Sequence, residues 1–94
     1  MAKNMIMVDE TDRNIVQAAD VKMSSLMNII TYIQSRNIDV GAERFQKYEE
    51  DYQNAFFDFE KSKTMIFNKY LANLNEKALS WSLDYERCQL TYEY

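Results

Sequence analysis

One glycine and no proline in 94 residues is the feature that most narrows what this chain can fold into. Sandwiches and barrels need a turn signal every few residues, and this sequence has almost none to offer. Long helices are the economical alternative, and the apolar spacing supports them. From "DETDRNIVQAAD" onward, Ile15, Ala19, Met23, Leu26, Ile30 and Ile33 recur at three- and four-residue steps, the helical period. Asp9 or Thr11 can cap this helix, and Asp9, Glu10 and Asp12 suit the positive end of its dipole. The pattern fails at "SRNIDVGAE", where Asn37 is suited to a C-cap and Gly41 to a turn. A second stripe follows: Phe45, Tyr48, Tyr52, Phe56, Phe59, Ile66, Tyr70 and Leu74. The expectation is therefore an antiparallel two-helix hairpin, helix ~9–36 and helix ~42–78. At 1.5 Å per residue the second helix would run ~55 Å against ~40 Å for the first, leaving an overhang to be covered.

The rhythm changes near residue 80. Trp81, Leu83 and Tyr85 alternate with Ser82 and Asp84, and Leu90, Tyr92 and Tyr94 alternate with Thr91 and Glu93. Period two with aromatics predicts a short C-terminal β element over ~80–94, with "ERCQ" as the turn. Trp81, Tyr85, Cys88 and Tyr92 also fit a helical spacing, and the turn lacks glycine or asparagine. A lone two-stranded ribbon is marginal, so it must pack on the helices, and "MIMV" at residues 5–8 could add a third strand. At 47% hydrophobic and 28% charged, residues 1–94 read as a single globular domain of mainly α class.

Several functions are disfavoured by what is missing. Without histidine there is no Ser-His or Cys-His pair, no Glu-x-x-His di-iron site, and the commonest metal ligand is missing. One glycine cannot form a phosphate-cradling loop. Cys88 alone excludes an internal disulfide and suits a reducing interior. No enzymatic activity, cofactor or metal is therefore expected. The net charge of −4 argues against direct nucleic-acid binding and against anionic membranes. No apolar run approaches the ~20 residues of a membrane span, and "MAKNMIMVDE" is too weakly apolar for a signal peptide. A cytoplasmic protein is expected.

The densest segment is "YEEDYQNAFFDFE", residues 48–60. Successive helical residues turn by 100°, which sends Tyr48, Tyr52, Phe56 and Phe59 to the stripe and Glu50, Asp51 and Asp58 away from it. Phe57 points more than 90° off the stripe, while Lys63 sits within it. The first helix has a second apolar line, Val16, Met23, Met27 and Ile30, wider than one partner helix covers. Either the C-terminal tail covers that line or two copies pair through it into a four-helix bundle; the homodimer is the expectation adopted. Charge also divides the second helix. Glu43, Glu49, Glu50, Asp51, Asp58 and Glu60 crowd its first half, and Lys61, Lys63, Lys69 and Lys77 its second. Dipole complementation fades within a turn of each end and cannot explain acids so far in.

The size resembles that of WXG-type secreted hairpins, but "SWSLD" has no glycine after tryptophan and residues 37–43 lack the motif. In composition the chain is similar to small, acidic, tyrosine-rich proteins of phages and mobile elements, anti-CRISPR inhibitors among them, a likeness of class without a shared motif. The expectation is a non-enzymatic binding protein whose acidic, aromatic-rich helix engages a basic site on another protein, such as one that handles nucleic acid. Glu49, Glu50, Asp51, Asp58 and Glu60 would supply the field and Phe57 the anchor. The alternative is a structural, self-assembling subunit of a phage or secretion apparatus.

Overall fold

The computed structural model of the chain describes residues 3–74 and 80–93. Two helices, α1 (Glu10–Ser35) and α2 (Ala42–Ile66), form an antiparallel hairpin. Three strands, β1 (Lys3–Met7), β2 (Ser80–Asp84) and β3 (Gln89–Glu93), form an antiparallel sheet in the order β1-β3-β2. The whole measures 52 × 25 × 22 Å.

Local chemistry explains the boundaries. Past Ser35 the chain enters the left-handed region at Asn37 (φ 52°), one of the few side chains that tolerates it. Asn37 N–H then reaches the Gln34 carbonyl and Ile38 N–H the Ile33 carbonyl, the full Schellman pattern. Gly41 precedes α2 at φ 88°, a conformation costly for any other residue. Asp9 occupies the N-cap position of α1, yet neither it nor Thr11 makes a side-chain cap; the Asp9 carboxylate faces Lys69 Nζ at 3.4 Å instead.

The expected long second helix is corrected by the structure. It ends in a π turn, Phe67–Leu71, closed by Ala72 N–H on the Phe67 carbonyl at 2.9 Å. Residues 72–74 are not helical, and 75–78 lie outside the described residues. With its π turn the second helical run covers residues 42–71, against 26 residues in α1, so among the described residues the overhang is far shorter than expected. The π turn inserts one extra residue per turn. It thereby swings Leu71 into the core and places Lys69 and Tyr70 against Asp12.

The period-two reading of the tail agrees with the strands found, but the connection covers 85–88 rather than 86–89. Tyr85 therefore leaves the strand and Gln89 joins it, while Tyr94 lies outside the described residues. Residues 5–7 lie within the third strand, β1. Along β3, Leu90 and Tyr92 face inward, with Trp81 and Leu83 of β2 and Ile6 of β1 on the same side. The four-residue connection between β2 and β3 manages without glycine or asparagine. Asp84 Oδ1 accepts the N–H groups of Glu86 (3.0 Å) and Arg87 (3.2 Å), and Cys88 takes the left-handed position at φ 51°.

The core lies where this sheet meets the hairpin: Val8, Val16, Ile66, Leu71, Leu90 and Tyr92, with Phe59, Met65, Tyr70, Leu74, Trp81, Leu83 and Tyr85 packed around them. Val16 is 2% exposed. The second apolar line of α1 is thus largely used within the chain: Val16 and Ile30 are buried, Met23 is half-buried, and only Met27 remains exposed. The four do not form a surface open to a second copy. Of the two coverings weighed for that line, the tail is the one found over Val16.

The expected stripes hold in the main, with one exchange on each helix: Val16 is buried in place of Ile15, and Ala55 in place of Phe56. The buried or half-buried positions of α1 include Asp12, Val16, Ala19, Met23, Leu26, Ile30 and Ile33, whereas Ile15 is half exposed. On α2 they include Phe45, Tyr48, Tyr52, Ala55, Phe59, Ser62 and Ile66. Ala55 and Ser62 take the seam because small side chains let two backbones approach, and the Ser62 hydroxyl is satisfied by donating to the Phe59 carbonyl at 2.7 Å. Phe56 is rotated out to 42% exposure.

Candidate protein-binding surface

With Ala55 on the seam, the residues after it are turned toward solvent. Phe56 and Phe57 stand on adjacent lines of α2, and Phe57 is 63% exposed. Tyr52 and Phe56 have ring centroids 6.4 Å apart, and Phe56 and Phe57 are edge-on at 6.3 Å. Together with Gln53 these rings line an open depression of ≈ 390 Å³. Seven residues, or ~10 Å of helix, separate Glu49 from Phe56 and Glu50 from Phe57, so each ring has an acid two turns before it on its own line. A second depression on the other flank of Phe57 is lined by Asn54, Asp58, Glu60, Lys61 and Thr64.

The acids differ in how free their charge is. Asp51 is half-buried and paired with Lys47 at 2.9 Å, a bond that raises the lysine's pKa. Glu60 pairs with Lys63 at 3.2 Å. Glu49, Glu50 and Asp58 are exposed, and no cation pairs with them among the described residues; Glu50 only accepts a long bond from the neutral Gln46 amide at 3.4 Å. Phe57 thus stands with Phe56, which the expected stripe assigns to the core; Asp58 shares only the depression on Phe57's other flank, and Glu49 and Glu50 lie two turns before the rings. Glu60 borders the Phe57 depression with its charge turned to Lys63, whereas Asp51 lines a groove between the helices with Lys22, Ser25, Leu26, Ile29 and Asn54. The signal for Phe56 was present in Ala55, whose small size competes for the seam.

Lys63 does not break the apolar seam. It lies at its edge, with its ammonium 5.1 Å from the centre of the Phe59 ring and its charge turned to Glu60. It also borders a hollow of ≈ 230 Å³ between sheet and helices, lined by Val16, Phe59, Trp81, Ser82, Leu83 and Tyr85.

Two polar knots lie outside this surface, and both bind elements to one another. Asp12 Oδ2 accepts from Lys69 Nζ at 2.7 Å and from the Tyr70 hydroxyl at 2.8 Å, while that hydroxyl accepts from Asp9 N–H at 2.9 Å. The bonds from Lys69, then Tyr70, hold the Asp12 carboxyl below its usual pKa against the opposing effect of burial. Tyr85 donates to Asp20 at 2.8 Å, and Arg13 Nη1 donates to the Tyr85 carbonyl at 2.7 Å, which fixes the β2–β3 turn to α1. Burial, then the bond to Asp20, pushes the Tyr85 phenol well above its ordinary range. Every perturbed group here is tied up in a joint.

Among the described residues no three acid or cysteine side chains converge to hold a metal ion, and no helix is long and apolar enough to cross a membrane. No protein family, curated protein or solved structure matches this chain.

Proposed function

We infer that this is a non-enzymatic binding protein whose α2 face engages a protein with a basic surface. The observation that carries the reading is the exposed Phe56–Phe57 pair on the same helix as three exposed acids, Glu49, Glu50 and Asp58, that pair with no cation among the described residues. Burying one phenylalanine contributes ~1.5–3 kcal/mol, so the pair supplies an anchor that charge alone lacks. The acids supply complementary potential, which mainly accelerates encounter and selects a basic rim. A partner with apolar pockets among lysines and arginines fits this face, and a nucleic-acid-handling protein is the class most richly supplied with such surfaces. An inhibitor that covers a nucleic-acid-binding groove is the concrete form of the reading.

The competing reading, a self-assembling structural subunit, is favoured by a different observation: Val21, Ile29 and Tyr32 are exposed on α1. The two faces lie on different helices.

Affinity capture from the native host with wild-type, Phe57→Ala and Glu49→Gln/Glu50→Gln/Asp58→Asn bait tests the main reading. A basic protein retained by wild type should be lost with the Phe57→Ala bait, and with the triple variant should associate more slowly and with weaker salt dependence. An identical set of proteins on all three baits, with unchanged kinetics, would refute it.

A further inference from the structure

We propose that the ring-lined depression on α2 is a seat for an arginine side chain of the partner protein. The inference rests on the reading that a basic protein engages this face, and it names the group that the face selects. Tyr52, Gln53, Phe56 and Phe57 line the depression of ≈ 390 Å³. The Phe56 and Phe57 rings meet at 68° and form a corner, and the Tyr52 ring stands beside Phe56 at 37°. The face of an aromatic ring is the negative part of its charge distribution and attracts a cation. The fold uses this attraction elsewhere: Arg36 lies over Tyr32 at 5.6 Å, Lys63 over Phe59 at 5.1 Å and Lys69 over Tyr70 at 5.7 Å. Among the described residues no cation lies over Tyr52, Phe56 or Phe57.

An open charge accompanies the open rings. Glu49 precedes Tyr52 by three residues and Gln53 by four, so it is the helical neighbour of both, one turn before the depression. Its neighbours on the other side, Phe45 and Gln46, are uncharged, and Glu49 itself is exposed. Glu50 contributes less. It accepts the Gln46 amide at 3.4 Å and lies near Lys47, whose pKa is raised by its bond to Asp51 first and by Glu50 to a lesser degree. Asp58, Glu60 and Lys61 lie on the other flank of Phe57. A cation on the rings therefore meets one uncompensated carboxylate, at the end nearer the start of α2. Flat ring faces beside a carboxylate suit a guanidinium better than an ammonium. A guanidinium is planar and weakly hydrated, so it lies on a ring at little cost in hydration, and its N–H fork stays free to reach Glu49 sideways. An ammonium keeps a tight water shell and gains little in a depression this open. Gln53 adds an amide oxygen that accepts a further N–H.

Capped hexa-arginine and hexa-lysine peptides carry equal charge on different cationic groups, and they are the probes. In amide NMR titrations at low ionic strength both should shift residues 49–57, with hexa-arginine binding at least ~3-fold more tightly. The Phe56→Ala/Phe57→Ala variant should bring the two affinities together while keeping a salt-dependent attraction for both peptides. Glu49→Gln should weaken both, because either cation uses that carboxylate. Helical circular dichroism confirms that each variant is folded. Wild type supplies a second reading that needs no variant: intermolecular nuclear Overhauser contacts from the arginine Cδ protons to the Phe56 and Phe57 rings. Equal affinities of the two peptides for wild type, a preference that survives in the folded double-alanine protein, or arginine contacts only to other rings would overturn the proposal. Equal binding at residues 49–57 would overturn it alone and leave the basic-partner reading standing. No shift of those amides by either peptide would contradict both.

Discussion

The two ends of the helical hairpin are built differently. At the sheet end, α1 starts, the π turn closes α2, and three strands lie against both; Val16, Ile66, Leu71, Leu90 and Tyr92 are buried together there. The Asp12–Lys69–Tyr70 and Tyr85–Asp20 joints tie that end in three places. Toward the turn at residues 36–41, only the two helices face each other. Burial there falls to Ile30, Ile33 and Ala55, while Met27, Ile29, Tyr32, Phe56 and Phe57 stand exposed. The two ends differ in what they bury rather than in what they expose: the sheet end holds most of the core, while Met5 and Met7 stand as open there as Phe57 does on α2.

Core truncations at each end should separate them most. Leu90 is 0% exposed, and Leu90→Ala should fall toward the upper end of the ~2–5 kcal/mol range for such changes. Ile30→Ala should fall toward the lower end, because a two-helix layer can relax into the space. Equal losses in urea unfolding would erase the distinction. Next in size is Asp12→Asn, which should cost roughly 1.5–3 kcal/mol at pH 7 by weakening a charge-assisted joint. Because the carboxyl's folded pKa is depressed, its contribution is present above the ordinary carboxylate range, near ~4, and is lost as pH falls through the lowered value. The gap between wild type and variant should therefore narrow at pH 3. A gap independent of pH would show that the ion pair is not its source.

Smaller effects are expected at the edges. Cys88→Gly should stabilise by ~0.4–1 kcal/mol, since it relieves a left-handed residue with little packing at stake. Lys63→Leu should leave stability unchanged within ~0.5 kcal/mol or raise it, because the lysine lies at the seam's edge with an exposed partner. A loss above ~2 kcal/mol would mean that Glu60 depends on it far more than the surface geometry implies.

How much of this the sequence reveals also follows the two ends. The helix break was legible in Asn37 and Gly41, whose backbone requirements leave a direct chemical signature. The strands were legible in the alternation of Trp81, Leu83, Leu90 and Tyr92. Two seam positions, Val16 and Ala55, were not. With apolar residues on neighbouring lines, as in Ile15 beside Val16, hydrophobicity cannot choose the seam. Close approach chooses it, through Ala55 and Ser62, and Ser62 looks polar in the sequence. The π turn has no residue signature at all; it is stabilised by Asp12, fifty-seven positions before Lys69, a separation no local pattern reports. Of the candidate surface, the exposure of Phe57, Glu49, Glu50 and Asp58 was legible by direction alone, whereas that of Phe56 follows from Ala55 taking the seam.

Amide hydrogen exchange, read residue by residue, tests the central claim most directly. If the sheet end holds the fold, the amides of Val16, Ile66, Leu90 and Tyr92 should exchange only through global unfolding, with the full stability as their protection. Amides around 24–33 of α1 and 45–57 of α2 should exchange through openings of distinctly lower free energy that leave the sheet end intact. Protection that is uniform along both helices, or highest near the 36–41 turn, would contradict the account.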